Sequence, residues 1–179
     1  MDLRMSNLLQ NRKCYLGGPI EYATSGDWRT PVKNVLTKRF GLRVFDPFED
    51  PKQAQFKDIK EFKEQGRYDE LSDLCWKFVH LDLGVVDRSD FIIQHLPYKV
   101  PTTGTVHEII NSNNNKKPTI LVCPDGGKQG IASWFFGFVP HQYMFGSWED
   151  MYNYLGDVNL GLVNDDRWFF VNNYRNLNW

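Results

Sequence analysis

The 179-residue chain is 41% hydrophobic and 24% charged, a globular balance with enough length to bury a core. A formal net charge of −1 gives no general attraction for polyanions, which argues against a nucleic-acid partner or an anionic membrane surface. Three cysteines (Cys14, Cys75 and Cys123) at unrelated spacings, with no CxxC, fit a reduced cytoplasmic protein without disulfides or structural zinc.

Residues 1–12 read as an N-terminal extension. They lack the continuous apolar stretch of an export signal, and no apolar run in the chain approaches the roughly 18 residues of a membrane span. "KCYLGG" (13–18) then reads as a buried strand stopped by glycines. Trp28, Val32, Val35, Leu36 and Phe40 recur at helical spacing. Thr30 before Pro31 offers an N-cap, Asp27 an alternative start, and Gly41 a stop. "LRVF" (42–45) is a second strand, so the chain opens β-α-β, the pattern of parallel strands joined by a right-handed crossover.

Residues 46–69 are charged, with early prolines and helical character from Phe56 to Glu64. They read either as an insertion covering a site or as a solvated excursion. Leu71, Leu74, Cys75 and Phe78 mark a helix leading into "HLDLGVVDRSD". "FIIQHL" (91–96) is the third strand, 105–113 a helix, the polar "NSNNNKK" a loop, and "TILVC" (119–123) the fourth strand. Beyond "CPDGG" the alternation fades, although "SWED" (147–150) has the form of a helix start with Ser147 as cap. Aromatic residues concentrate after residue 130, which suits an interface or an aromatic-lined pocket. The expectation is a single α/β domain over 1–179. It is a doubly wound, flavodoxin- or Rossmann-like, mostly parallel sheet of about five strands with helices on both faces. Residues 124–179 form its divergent, aromatic-rich part.

Ligands of such sheets bind beyond the carboxyl ends of the strands. Three polar clusters fall there: "GGPIEY", "DPFED" and "TTGTVHE". Glycines in them allow close approach to the backbone, and a helix beginning near Thr105 presents free N–H groups. Neither GxGxxG nor the P-loop pattern is present. Glu108 has two readings, a first-turn residue favouring the helix dipole or a reactive carboxylate at the rim. Asp82 is a second candidate carboxylate, and Asp90 a third that also suits a polar cap before a strand. Two carboxylates at one sugar make retaining glycosidic chemistry possible. The histidines at 80, 95, 107 and 141 form no metal-ligand pattern, and no metal is expected. His107, next to Glu108, should point elsewhere along the helix. No Ser or Cys stands in a nucleophile elbow.

Taken together, "YLGGPI", the helical "WR", "VFDP", "DLGVVDRSDFII", "GTVHEI" and "KKPTILV" resemble the nucleoside 2-deoxyribosyltransferase family in order and spacing over residues 13–123. The resemblance implies that Glu108 is the nucleophile at the anomeric carbon and Asp82 the acid at the base. It implies that Tyr15 orients Glu108, and that Gly17, Gly18, Pro19, Asp90, Thr102, Thr103 and Gly104 line the substrate. It further implies no cofactor, a nucleoside or nucleotide with a free nucleobase as ligands, and a homo-oligomer. The expected reaction is cleavage of a 2′-deoxynucleoside through a deoxyribosyl-glutamate, with transfer to another base. In the transferases an aspartate ahead of the nucleophile grips the sugar 5′-hydroxyl; Thr102 or Thr103 stands there here. The related 5′-monophosphate N-hydrolases carry a serine in that place, so hydrolysis of monophosphates is the alternative expectation. For that, Glu21 stands where a phosphate-binding arginine is wanted, leaving Arg29 or a neighbouring subunit to supply one. A catalytically idle nucleotide-binding or interaction protein on the same fold is the third.

Overall fold

The computed structural model describes residues 7–20, 27–49, 56–100 and 102–168. Its frame is a five-stranded, all-parallel sheet in the order β2-β1-β3-β4-β5. The strands are β1 (Lys13–Gly17), β2 (Arg43–Phe45), β3 (Phe91–His95), β4 (Thr119–Val122) and β5 (Met144–Phe145). The helices are α1 (Arg29–Phe40), α2 (Phe56–Glu64), α3 (Tyr68–Arg88), α4 (Thr103–Asn114) and α5 (Trp148–Asn159). This is the expected doubly wound α/β class. The two-residue β5 is too short to show a periodicity in sequence, so only four strands were legible there.

Local chemistry sets the element ends. α1 begins at Arg29, a residue before the proposed Thr30 cap, and the Asp27 carboxylate accepts the Thr30 N–H at 3.0 Å. Gly41 closes it in the left-handed region at φ 67°, where a side chain would be strained. α3 is longer than its apolar spacing suggested and carries Asp82 inside the helix. The carbonyls at its C-terminal end are collected by Lys117, whose Nζ donates to Val86 O and to the capping Ser89 O at 2.7 Å each, and to Asp87 O. A cation there also opposes the negative end of the helix dipole. Ser147 caps α5 as expected, accepting the Asp150 N–H at 3.1 Å.

The two sheet faces bury different partners. Cys14 and Leu16 of β1, with Phe91 and Ile93 of β3, join Val32, Leu36 and Phe40 of α1 and Met151 and Leu155 of α5 in the main core. Tyr15 and Ile92, their alternating neighbours, pack instead with Val86 of α3. Among the described residues, several of the aromatics after residue 130 lie in the interior. Trp168 is fully buried, 5.1 Å from the Phe91 ring, and its indole N–H donates to the Tyr154 hydroxyl at 2.8 Å. Tyr143 is also fully buried, whereas Trp134 is 84% exposed. Among the described residues no helix is long and apolar enough to cross a membrane.

Candidate functional site

The direction of the chain after β1 and after β3 defines the site. β1 leads through α1 to β2 on one side, while β3 leads through α4 to β4 on the other. The crevice between the carboxyl ends of β1 and β3 is thus a topological switch point. In the parallel register Tyr15 lies opposite Ile92 and Gly17 opposite Gln94, so all four belong to one sheet face. α4 rises over that face and brings Glu108 to it.

Glu108 is held by two donors. The Tyr15 hydroxyl donates to Oε1 at 2.6 Å, and the Gln94 amide donates to Oε2 at 2.9 Å. Burial raises the carboxyl pKa to about 7; the two hydrogen bonds pull the other way, the negative charge of Asp82 pushes it up further, and Arg29 pulls it down. Tyr15 is fully buried, and its pKa is driven well up by burial and by the charges of Glu108 and Asp82. Its phenol is therefore neutral and can only donate to the carboxylate at physiological pH. A carboxylate with an oriented donor on each oxygen can act as a nucleophile or as a proton acceptor.

The start of α4 and the place of Asp90 both differ from expectation. α4 starts at Thr103, two residues earlier than expected, so Glu108 sits in its second turn and the first turn contains no acid. The dipole effect falls off within the first turn, which removes that explanation for Glu108. Asp90 lies at the amino end of the sheet, where its carboxylate accepts the Lys13 N–H at 2.7 Å and its own N–H donates to Lys13 O. It joins β1 to β3 at the edge opposite Glu108 and is a structural cap, remote from the crevice.

The remaining candidates fall around the crevice. Asp82 reaches the Tyr15–Glu108 pair from α3, close enough for its charge to act on both. Gly17, Gly18 and Pro19 are buried where β1 ends. A Cβ on Gly17 would meet the Gln94 side chain at 2.0 Å, and one on Gly18 would meet the Trp28 ring at 2.8 Å. Thr102 is half-buried and Thr103 and Gly104 are exposed at the start of α4; the Thr102 side chain does not cap the helix. Glu21 lies outside the described residues. His107 is exposed, as its adjacency to Glu108 required. Among the described residues no group of His, Cys, Asp or Glu is arranged to hold a metal ion.

Arg29 does not serve as a phosphate ligand. It is buried, with Nη1 donating to Asp46 Oδ1 at 2.8 Å and to Leu16 O at 3.0 Å, and Nη2 donating to Gly18 O at 3.0 Å. Those bonds tie the end of β1 to the loop after β2. The "WR" and "VFDP" pieces of the sequence thus meet as the two halves of a buried ion pair. His95 is equally interior, 4.5 Å from the Trp28 ring and 5.6 Å from that of Trp148. Burial lowers its pKa to about 4, so it stays neutral. Gln94 was missed in sequence although "FIIQHL" carried a signal, one amide inside an otherwise apolar strand.

The fold and the crevice define a doubly wound α/β protein with a hydrogen-bonded carboxylate at its switch point. Among solved structures, the chain is similar to the 2-deoxyribosyltransferase of the psychrotolerant bacterium Bacillus psychrosaccharolyticus, a biocatalyst for the synthesis of nucleosides. The TM-score is 0.52 at 20% sequence identity, covering 79% of this chain and 91% of that one. No family model and no curated protein matches the sequence.

Proposed function

We propose that the protein is a deoxyribosyl-transferring enzyme that cleaves the N-glycosidic bond of 2′-deoxynucleosides through a covalent Glu108 intermediate. The observation that carries this reading is the buried Tyr15 hydroxyl 2.6 Å from Glu108 Oε1, at the crevice between β1 and β3. A Glu108 oxygen attacks C1′, the bond from C1′ to the base nitrogen breaks, and its electron pair leaves with the base. Asp82 supplies a proton to the departing base. In the second half the nitrogen of an incoming base attacks C1′, Glu108 leaves as carboxylate, and Asp82 recovers a proton. A sugar without a 2-hydroxyl tolerates the oxocarbenium-like charge of both steps. The fold likeness to a 2-deoxyribosyltransferase supports the same reading.

The test is incubation of the protein with deoxyinosine and free adenine, and separately with each deoxynucleoside monophosphate. New deoxyadenosine supports transfer. Free base without an acceptor supports hydrolysis, and no reaction in either arm supports an idle binding protein. Asp82→Asn should slow cleavage most for poor leaving groups, with a penalty that shrinks as the base leaves more readily. Equal losses across a leaving-group series would make Asp82 structural.

The hydrolase reading draws on the start of α4. Thr102 and Thr103 offer neutral hydroxyls beside open helix N–H groups, a setting that accepts either a 5′-hydroxyl or a phosphate. A carboxylate there would repel a monoester phosphate, which carries about −1.5 to −2 at neutral pH. Thr102→Asp or Thr103→Asp should therefore reduce kcat/KM for monophosphates selectively, leaving nucleosides nearly unaffected. Monophosphates that neither react with nor inhibit the unaltered protein would remove this alternative.

A further inference from the structure

We infer that Gln94 is a positioning residue for Glu108, its side-chain amide fixing Oε2 and holding the carboxylate in its ionised, attack-ready form. The inference rests on the reading of Glu108 as nucleophile and adds the group that sets its orientation and protonation.

β3 is buried along its whole length, and Gln94 is 0% exposed. An uncharged amide in such a strand costs free energy unless it is hydrogen-bonded. Only half of that need is met. The Nε2 group donates to Glu108, while Oε1 is buried without a hydrogen-bond partner. The amide is therefore oriented for the carboxylate at the expense of its own acceptor. The backbone makes room for this pose, since any Cβ on Gly17, the register partner of Gln94, would lie 2.0 Å from Oε1. A glycine on β1, an amide on β3 and a carboxylate on α4 thus form one interlocked unit.

The consequence for the reaction follows from which oxygen each donor holds. Tyr15 occupies Oε1 and Gln94 occupies Oε2, so the plane of the carboxylate is fixed by two rigid strands. The charged groups facing Glu108 are Asp82 from α3 and Arg29 from α1, with the titratable phenol of Tyr15 from β1. Arg29 is committed to Asp46 and two carbonyls, so the direct support for the ionised carboxylate comes from Tyr15 and Gln94. Removing one donor disfavours the anion and frees the carboxylate to rotate.

The experiment compares the wild-type protein with Gln94→Leu, which keeps the volume and deletes the donor, and with Gln94→Glu, which sets a second carboxyl beside the first. The Glu108 carboxyl is titrated by 13C NMR in the whole protein, its resonance assigned by loss in Glu108→Gln, and kcat and KM are measured across pH. The expected result for Gln94→Leu is an upward move of the Glu108 titration by about one pH unit. The acid limb of kcat should move with it, and KM should change little. Gln94→Glu should raise the titration further, because two adjacent carboxyls resist ionising together. An unchanged titration in Gln94→Leu overturns the inference, as does a rate loss with an unmoved pH profile. Should Gln94→Leu fail to fold, the wild-type Gln94 side-chain NH2 signals serve instead. They should titrate with the same midpoint as the Glu108 carboxyl, and signals that do not would overturn the inference. A titration that moves in a protein inactive on every substrate leaves Gln94 as the partner of Glu108 and removes only the enzymatic reading.

Discussion

Glu108→Gln is expected to lower turnover by about three powers of ten or more while preserving the fold, the size of loss seen when a covalent nucleophile is removed. The amide keeps the shape of the side chain and can still accept from Tyr15, so the 2.6 Å contact has a substitute. It cannot form the ester to C1′. The same substitution has a second effect of opposite sign. Burial holds the Glu108 pKa at about 7, above the ordinary carboxylate range, so the native state binds this proton more tightly than the unfolded chain does. That contribution to stability is fully present below the unfolded pKa and is lost as pH rises through about 7. Wild-type protein should lose stability relative to Glu108→Gln between pH 4.5 and 8, by up to about 3 kcal/mol. Paired denaturant titrations at those two pH values check the sign, and single-turnover assays check the rate. A variant with near-wild-type turnover would remove the double-displacement mechanism. A stability difference independent of pH would mean that Glu108 titrates in its ordinary range.

Arg29→Met should destabilise the protein by about 3–5 kcal/mol, the usual loss when one member of a buried ion pair is deleted. Arg29 and Asp46 are 6% and 5% exposed, so water cannot replace the missing partner. Asp46 would retain the Phe48 N–H, 2.9 Å from Oδ1, but lose its counter-charge. Leu16 O and Gly18 O would lose their guanidinium donors as well. Arg29→Lys should recover part of the loss, because a single ammonium cannot span the carboxylate and both carbonyls as the fork does. Urea unfolding monitored by tryptophan fluorescence measures the change. A loss below about 1 kcal/mol would show that the pair is effectively solvated, as exposed pairs are. Since Leu16 and Gly18 flank Gly17, the destabilised variant should also lose activity through the geometry at the end of β1.

Hydrophobic period and turn chemistry made β1 to β4 and the main helices legible, because a buried strand or an amphipathic helix writes its burial directly into local sequence. Tyr15, Asp82 and Glu108 were legible by type and by resemblance to a family. Asp90 reads two ways for a physical reason. A carboxylate before a strand serves the amino edge as readily as a crevice, and only the Lys13 contact decides between them. Arg29 invited a phosphate role because an arginine near a glycine turn has the right charge. Its partner, Asp46, lies 17 residues away, and no local pattern encodes that pairing.

The α/β class, the parallel order implied by β-α-β units, and the side chains with chemistry to offer can all be read from local sequence. Those properties are local: they depend on alternation along a strand, spacing around a helix turn and the acid–base character of single residues. It takes the packed fold to show that the Tyr15 hydroxyl and the Gln94 amide hold opposite oxygens of Glu108, and that Gly17 clears the space for the amide. The same packing places Arg29 in the interior with Asp46. The reason is that β1, β3 and α4 are brought together by strand register and crossover packing, and a buried carboxylate takes its pKa from whatever those distant segments place around it.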